Sequence, residues 1–237
     1  MNLLLLEQRD FINTNTASIF DERLQHIINV LGSKPGDELN AGMINGKCGK
    51  ATIISLSKNI CELEVKLDQE PPQALPLTVI LALPRPKMLR RILRNTAEFG
   101  IKQLYLINSY KVEKSYWQTP FLEQPVIDTW MKEGLTQARD TIMPSVHLNK
   151  RFRPFVEDEL PGIIHNKEAF VAHPYNAEPM PAPSKEKRVI IIGPESGFID
   201  YEIALLHKQG VNAISMGERI YRVENALTLL STQLSKP

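Results

Sequence analysis

Apolar residues recur along this chain in two rhythms, and the change falls near residue 70. Before it, Cys61-Glu62-Leu63-Glu64-Val65-Lys66-Leu67 alternates strictly, the mark of a strand with one face on a core and the other in water. Residues 3–6, 38–43, 51–56 and 60–67 read as short strands, with turns at Lys34-Pro35-Gly36-Asp37 and Asn45-Gly46 between them. They predict a small β-barrel or sandwich over residues 1–72. The prolines of Glu70-Pro71-Pro72-Gln73-Ala74-Leu75-Pro76 suit an extended linker better than any element interior. Beyond it, 77–83, 103–107, 169–172 and 213–216 read as strands, and 189–192 is a continuous apolar run of the kind found in a parallel strand covered on both faces. Helices are predicted over 87–99 and 201–209, and a last one carries Leu227, Leu230 and Leu234. Residues 73–237 therefore read as an α/β domain, with 151–161 and 174–187 as connections.

Two of these strands stop at glycine. Val189-Ile190-Ile191-Ile192 runs into Gly193-Pro194-Glu195-Ser196-Gly197, after which Asp200 can cap a helix, Glu202 suits its first turn and Gly210 its end. Residues 213–216 run into Gly217. Ligands of open α/β sheets bind at the carboxyl ends of strands, so Arg219, Arg222 and Glu224 would stand near one ligand. Neither loop has the spacing of a Rossmann fingerprint or a P-loop, which argues against a dinucleotide or a nucleoside triphosphate.

Charge adds a second site. The chain has 237 residues and a formal net charge of +1; residues 1–72 carry net −3 and residues 73–237 net +4. Arg85, Lys87, Arg90, Arg91 and Arg94 follow one another with no acid between them, while Met88, Leu89, Ile92, Leu93 and Phe99 fall on the opposite helical face. An uninterrupted cationic face predicts phosphate contact. Cys48 and Cys61 are too few for a disulfide scaffold and read as buried thiols. The five histidines have no metal-ligand spacing, so no metal is expected. No apolar run approaches membrane-spanning length and no signal peptide is evident, which points to a cytoplasmic protein.

Taken in combination, the motifs resemble the RsmE family of the SPOUT class, enzymes that methylate N3 of a uridine in small-subunit (16S) ribosomal RNA. Its GPEGG loop is matched by Gly193 to Gly197, with Ser196 for one glycine, and its LGxRILRTETA loop by Met216 to Ala226, with Val223 and Asn225 for the two threonines. Lys87-Met88 with Glu98-Phe99-Gly100 resembles the family's KME…ELG helix, residues 24–36 its PUA-like barrel, and His173-Pro174 its first ligand loop. The family's EQSxR…VP stretch is met only by Thr136-Gln137-Ala138-Arg139 and Met143-Pro144. The resemblance implies a parallel sheet threaded into a trefoil knot behind an N-terminal RNA-binding barrel, and a homodimer. It implies S-adenosylmethionine held by Val171, Ala172 and His173, by Ile192, Gly193 and Gly197, and by Met216, Gly217, Ile220, Tyr221 and Ala226. Arg219 and the cationic helix would bind ribosomal RNA, free or in the small ribosomal subunit. Arg222 would stabilise charge on the deprotonated base, and Glu195 or Glu224 would accept the proton. Two alternatives stand beside this: a knot-fold methyltransferase with another RNA target, and an RNA-binding or assembly protein without catalysis.

Overall fold

The computed structural model describes residues 2–236 and divides into two compact units, residues 1–72 with 132–143, and residues 73–131 with 144–237. The first unit carries β1 (Leu4–Leu6), β2 (Phe11–Asn13), β3 (Thr16–Ile19), α1 (Glu22–Asn29), β4 (Glu38–Met43), β5 (Cys48–Leu56) and β6 (Cys61–Gln69). They form one six-stranded sheet in the order β1-β4-β5-β6-β3-β2, antiparallel except for the β1–β4 pair. Register shifts between Cys48 and Gly49 and between Ile53 and Ser55 put bulges into the β5–β6 ladder and curl the sheet. At the first bulge a Cβ on Gly49 would lie 2.0 Å from the Lys66 carbonyl oxygen, so only glycine fits. The alternation in β6 is realised: Cys61, Leu63 and Val65 enter a core with Leu4, Leu6, Ile19, Leu24 and Ile27, while Glu64 and Lys66 face out. Arg23 ties the first segments of this unit together, donating to both oxygens of buried Asp10 (2.7 and 2.8 Å), to Asp21 and to the Leu5 carbonyl (2.7 Å).

Residues 132–143 join this unit by contacts that a linear division at the proline linker does not convey. Lys132 pairs with Glu7 at 2.7 Å, Asn45 donates through its backbone to Thr141 and accepts from Met143 at its side chain, and Thr141 covers Gly42.

The second unit holds β7 (Leu77–Ala82), α2 (Pro86–Glu98), β8 (Gln103–Ile107), α3 (Gln124–Ala138, whose second half belongs to the first unit), β9 (Ser145–Asn149), α4 (Phe152–Pro154), α5 (Leu160–Ile164), β10 (Glu168–Ala172), β11 (Glu178–Pro179), β12 (Arg188–Ile192), α6 (Asp200–Lys208), β13 (Asn212–Ser215) and α7 (Val223–Leu234). Its seven strands are all parallel, in the order β11-β13-β10-β12-β7-β8-β9. Every residue of β7 and β12 is buried, as continuous apolar runs require. The predicted connection over 151–161 is instead helical: a π-turn, Phe155–Glu159, links α4 to α5. The prolines that argue for a loop are accommodated because Pro154 and Pro161 lie in the first turns of α4 and α5, where a backbone N–H has no intrahelical acceptor. The other predicted connection, 174–187, contains the edge strand β11 and a parallel bridge from Ser184 to Ser235. Arg188, 6% exposed, fastens this segment: its guanidinium donates to Glu168 and to the carbonyls of Ala182 and Leu234, all within 2.8 Å. Both α2 and α6 end in Schellman turns at Gly100 (φ 73°) and Gly210 (φ 88°). No helix among the described residues is long and apolar enough to cross a membrane.

Candidate functional site

Strands β13, β10 and β12 are neighbours, so Ser215, Ala172 and Ile192 end side by side and their loops surround one cavity of about 430 Å3. Its apolar wall is Ile192, Met216, Ile220, Val223 and Ala226; its polar rim includes His173, Asn176, Asp200, Arg219 and the backbone from Gly193 to Gly197. The His173 amide extends the sheet ladder to the Ile214 carbonyl at 3.0 Å, and its ring meets Tyr175 edge to face at 5.9 Å. Burial, aided by His207 and opposed by Asp200, holds the His173 imidazole below its usual pKa, so its neutral form predominates at pH 7.

The glycines have separate reasons. A Cβ on Gly193 would approach the Phe198 ring to 3.0 Å, so Gly193 lets Phe198 turn inward and pack on Phe152 at 5.8 Å. Gly197 (φ 72°) and Gly217 (φ 93°) face open space and are required by backbone conformation. Ser196, which stands where a glycine is expected, keeps an ordinary φ and costs no backbone strain. The N-terminus of α6 also differs from expectation: Asp200 is its first residue, and the cap comes from Glu202, whose carboxylate reaches back to the Ile199 amide at 3.0 Å.

Glu202 does more than cap. It is 2% exposed and also accepts from Ser109 Oγ at 3.2 Å and the Tyr110 amide at 2.8 Å. Lys111 Nζ donates to the Ser196 carbonyl at 2.8 Å, which holds the loop after β8 against the loop after β12, and Trp117 Nε1 donates to Asn108 Oδ1 at 2.9 Å within the former. Neither Lys111 nor this use of Glu202 was read from the sequence. Applying the strand-end rule to β8 as well as to the glycine-marked strands would have found the loop.

Ala172, His173, Ile192, Gly193, Gly197, Met216, Gly217, Ile220, Tyr221 and Ala226 all line the cavity; Val171 is buried in β10 and does not. Glu195 lies on the cavity wall and holds Arg85 at 2.8 Å. Arg219 lies on the rim, whereas Arg222 is an exposed N-cap of α7 outside the lining. Glu224, 7% exposed, faces Arg91 Nη1 at 3.7 Å and does not line the cavity. Arg85, Lys87, Arg90 and Arg91 are exposed on α2 and Arg94 is half-buried, opposite the buried Leu89, Ile92 and Leu93.

Comparison with known proteins places this arrangement. A ribosomal RNA small subunit methyltransferase E of Treponema pallidum (strain Nichols) is 29% identical over 95% of this chain and 87% of its own length. The first such enzyme of Borreliella burgdorferi is 23% identical over 95% of this chain and 94% of its own. The fold is shared with the ribosomal RNA small subunit methyltransferase E of Neisseria gonorrhoeae crystallised with S-adenosyl methionine (TM-score 0.74, 16% identity, 97% of this chain and 95% of that one). It is shared too with a Legionella pneumophila protein in complex with the same cofactor (TM-score 0.75, 19% identity, 98% and 95%). The model of the RNA methyltransferase domain matches residues 71–235, and the chain therefore belongs to the RNA methyltransferase domain family, as an RsmE-type member.

Proposed function

We infer that this chain transfers the methyl group of S-adenosylmethionine to N3 of a uridine in small-subunit (16S) ribosomal RNA. The observation that carries the reading is the cavity itself: three adjacent parallel strands end in three loops around it, and both motif loops form its walls. Its volume of about 430 Å3 lies in the range of roughly 300–1,000 Å3 usual for small-molecule sites. The apolar wall suits a purine ring, and the loop backbone offers amides and carbonyls to a ribose and an amino acid, so the residues present fit the cofactor. When bound, that group supplies an electrophilic methyl on a sulfonium.

The protein's own part is placement and charge. The base must lose its N3 proton, and the resulting anion spreads onto the flanking carbonyls, where a fixed guanidinium stabilises it. Arg222 serves here, exposed beside the third loop and free of any cavity-wall duty. Glu195 is the preferred proton acceptor, since Glu224 is buried against Arg91. The cationic face of α2, with Arg219, binds RNA phosphates. The rest of the family architecture is proposed with it: a trefoil knot in the C-terminal part, a PUA-like barrel that touches RNA, a homodimer and a cytoplasmic location.

The test is methylation of an unmodified 16S RNA transcript followed by mass spectrometry of its nucleosides. The expected product is 3-methyluridine, and Arg222→Ala should lower turnover by about 100-fold or more, the usual cost of one transition-state donor, with cofactor affinity within about twofold. A ribose-methylated product, or no methylated product, would overturn the assignment.

A further inference from the structure

Beside the cofactor cavity lies a second chamber of about 270 Å3. The two share Lys111, Pro194, Glu195 and Ser196, so the GPESG loop forms a common wall with one side toward each. Arg85 and Tyr116 line the second chamber only. Tyr116 is held by a short 3-10 turn, Lys114–Gln118, and its hydroxyl donates to Glu113 at 3.1 Å. That turn belongs to the loop anchored through Ser109 and Tyr110 to Glu202, in which Val112 is buried. Two cations stand around it: Lys111 on Ser196 and Arg85 on Glu195.

We propose that this chamber receives one unstacked nucleotide of the RNA, its base against the Tyr116 ring and its phosphate on Arg85 and Lys111. The proposal rests on the methyltransferase reading and deepens it by placing the nucleic acid. The chemistry fits on three counts. An enzyme that alters a base edge needs that base out of its stack, and an aromatic ring replaces the lost stacking without regard to sequence. An arginine beside a lysine suits a phosphate. The Arg85–Glu195 pair is largely exposed, with side chains 65% and 41% accessible, so it is weakly held and exchangeable. An arriving phosphate takes Arg85 and leaves the Glu195 carboxylate unpaired on the wall of the cofactor cavity. Nucleotide entry and the release of the proposed proton acceptor are then one event.

The test uses the full chain and a fluorescein-labelled single-stranded heptauridylate, with binding read by anisotropy. Tyr116→Ala should weaken binding by about 5- to 100-fold, the range of one base–aromatic stack, whereas Tyr116→Phe should restore it. Arg85→Gln should reduce the slope of log affinity against log salt by about 0.7, as loss of one single-strand phosphate contact does. Wild-type affinity in Tyr116→Ala, equal loss in Tyr116→Ala and Tyr116→Phe, an unchanged salt slope, or no binding by the wild type overturns the chamber. S-adenosylmethionine titration of the same samples separates the two readings. Cofactor binding with no effect of Tyr116 sinks the chamber alone. Absence of cofactor binding sinks the methyltransferase reading, even if RNA affinity still depends on Tyr116.

Discussion

The two units bury a sheet in opposite ways, and the contrast explains where each can hold a ligand. The curled sheet of the first unit covers one face only; along β6 each buried residue is followed by one that is exposed or partly so. The centre of the parallel sheet of the second unit is covered on both faces, and β7 and β12 have no exposed residue. A one-sided sheet offers its open face to partners, spread over many solvated side chains. A two-sided sheet offers only its ends, where a few loops converge on a small volume. The compact cavity with apolar walls is accordingly at the strand ends of the second unit, and the basic residues read from the sequence lie beside those ends.

The two kinds of strand should differ most in how they tolerate truncation. Ile191→Ala, at a position in β12 with no solvent exposure, should cost about 2–5 kcal/mol in denaturant unfolding. Lys66→Ala in β6, whose side chain is 83% exposed, should stay within about 0.5 kcal/mol. Similar effects at the two sites would contradict the account of one-sided and two-sided burial.

A smaller effect sharpens what fixes the strand-end loops. In Glu202→Gln one oxygen becomes an NH2 that faces N–H or O–H donors, and the loss should be about 1.5–3 kcal/mol of stability. Because Glu202 joins the loop after β8 to the start of α6, hydrogen exchange should rise at 108–111 and 197–199 first. Uniform exchange across the unit would mean that the carboxylate does not position these loops.

The smallest expected effect is pH-dependent and confined to the first unit. The hydrogen bond from Arg23 holds the Asp21 carboxyl below its usual pKa, against some burial. A depressed carboxylate stabilises the fold above its unfolded pKa of about 3.9, and that contribution is lost as pH falls through the lower folded value. Wild-type stability should therefore decline below about pH 4 more steeply than that of Asp21→Asn. Parallel profiles would remove Asp21 from the network.

Fully buried strands announced themselves as apolar runs, and strands 38–43 and 103–107 were read to the residue. The basic helix was placed within a residue or so of its bounds, Pro86–Glu98, because its polar and apolar faces separate cleanly. The short, partly exposed elements were not read. β9 is an edge strand in which no residue is fully buried, so it leaves no apolar run. Phe11–Asn13 and Thr16–Ile19 are three and four residues long and joined by a tight turn, below the length at which alternation can be counted. The helical stretch 152–164 was hidden by Pro154 and Pro161. At the site, glycines and arginines marked two loops, while Lys111 and Tyr116 sit in a loop with no such punctuation. Their importance comes from contacts with Ser196 and with Glu113 that only folding creates.

The proposed cofactor site is the cavity at the strand ends of the parallel sheet. Hydrogen–deuterium exchange with and without S-adenosylmethionine tests it on the unmodified chain. Protection is expected in three stretches, 172–176, 192–200 and 216–226, with the six-stranded sheet unchanged. Cofactor-dependent protection on the open face of that sheet, or none in any of the three stretches, would rule out the cavity as the cofactor site.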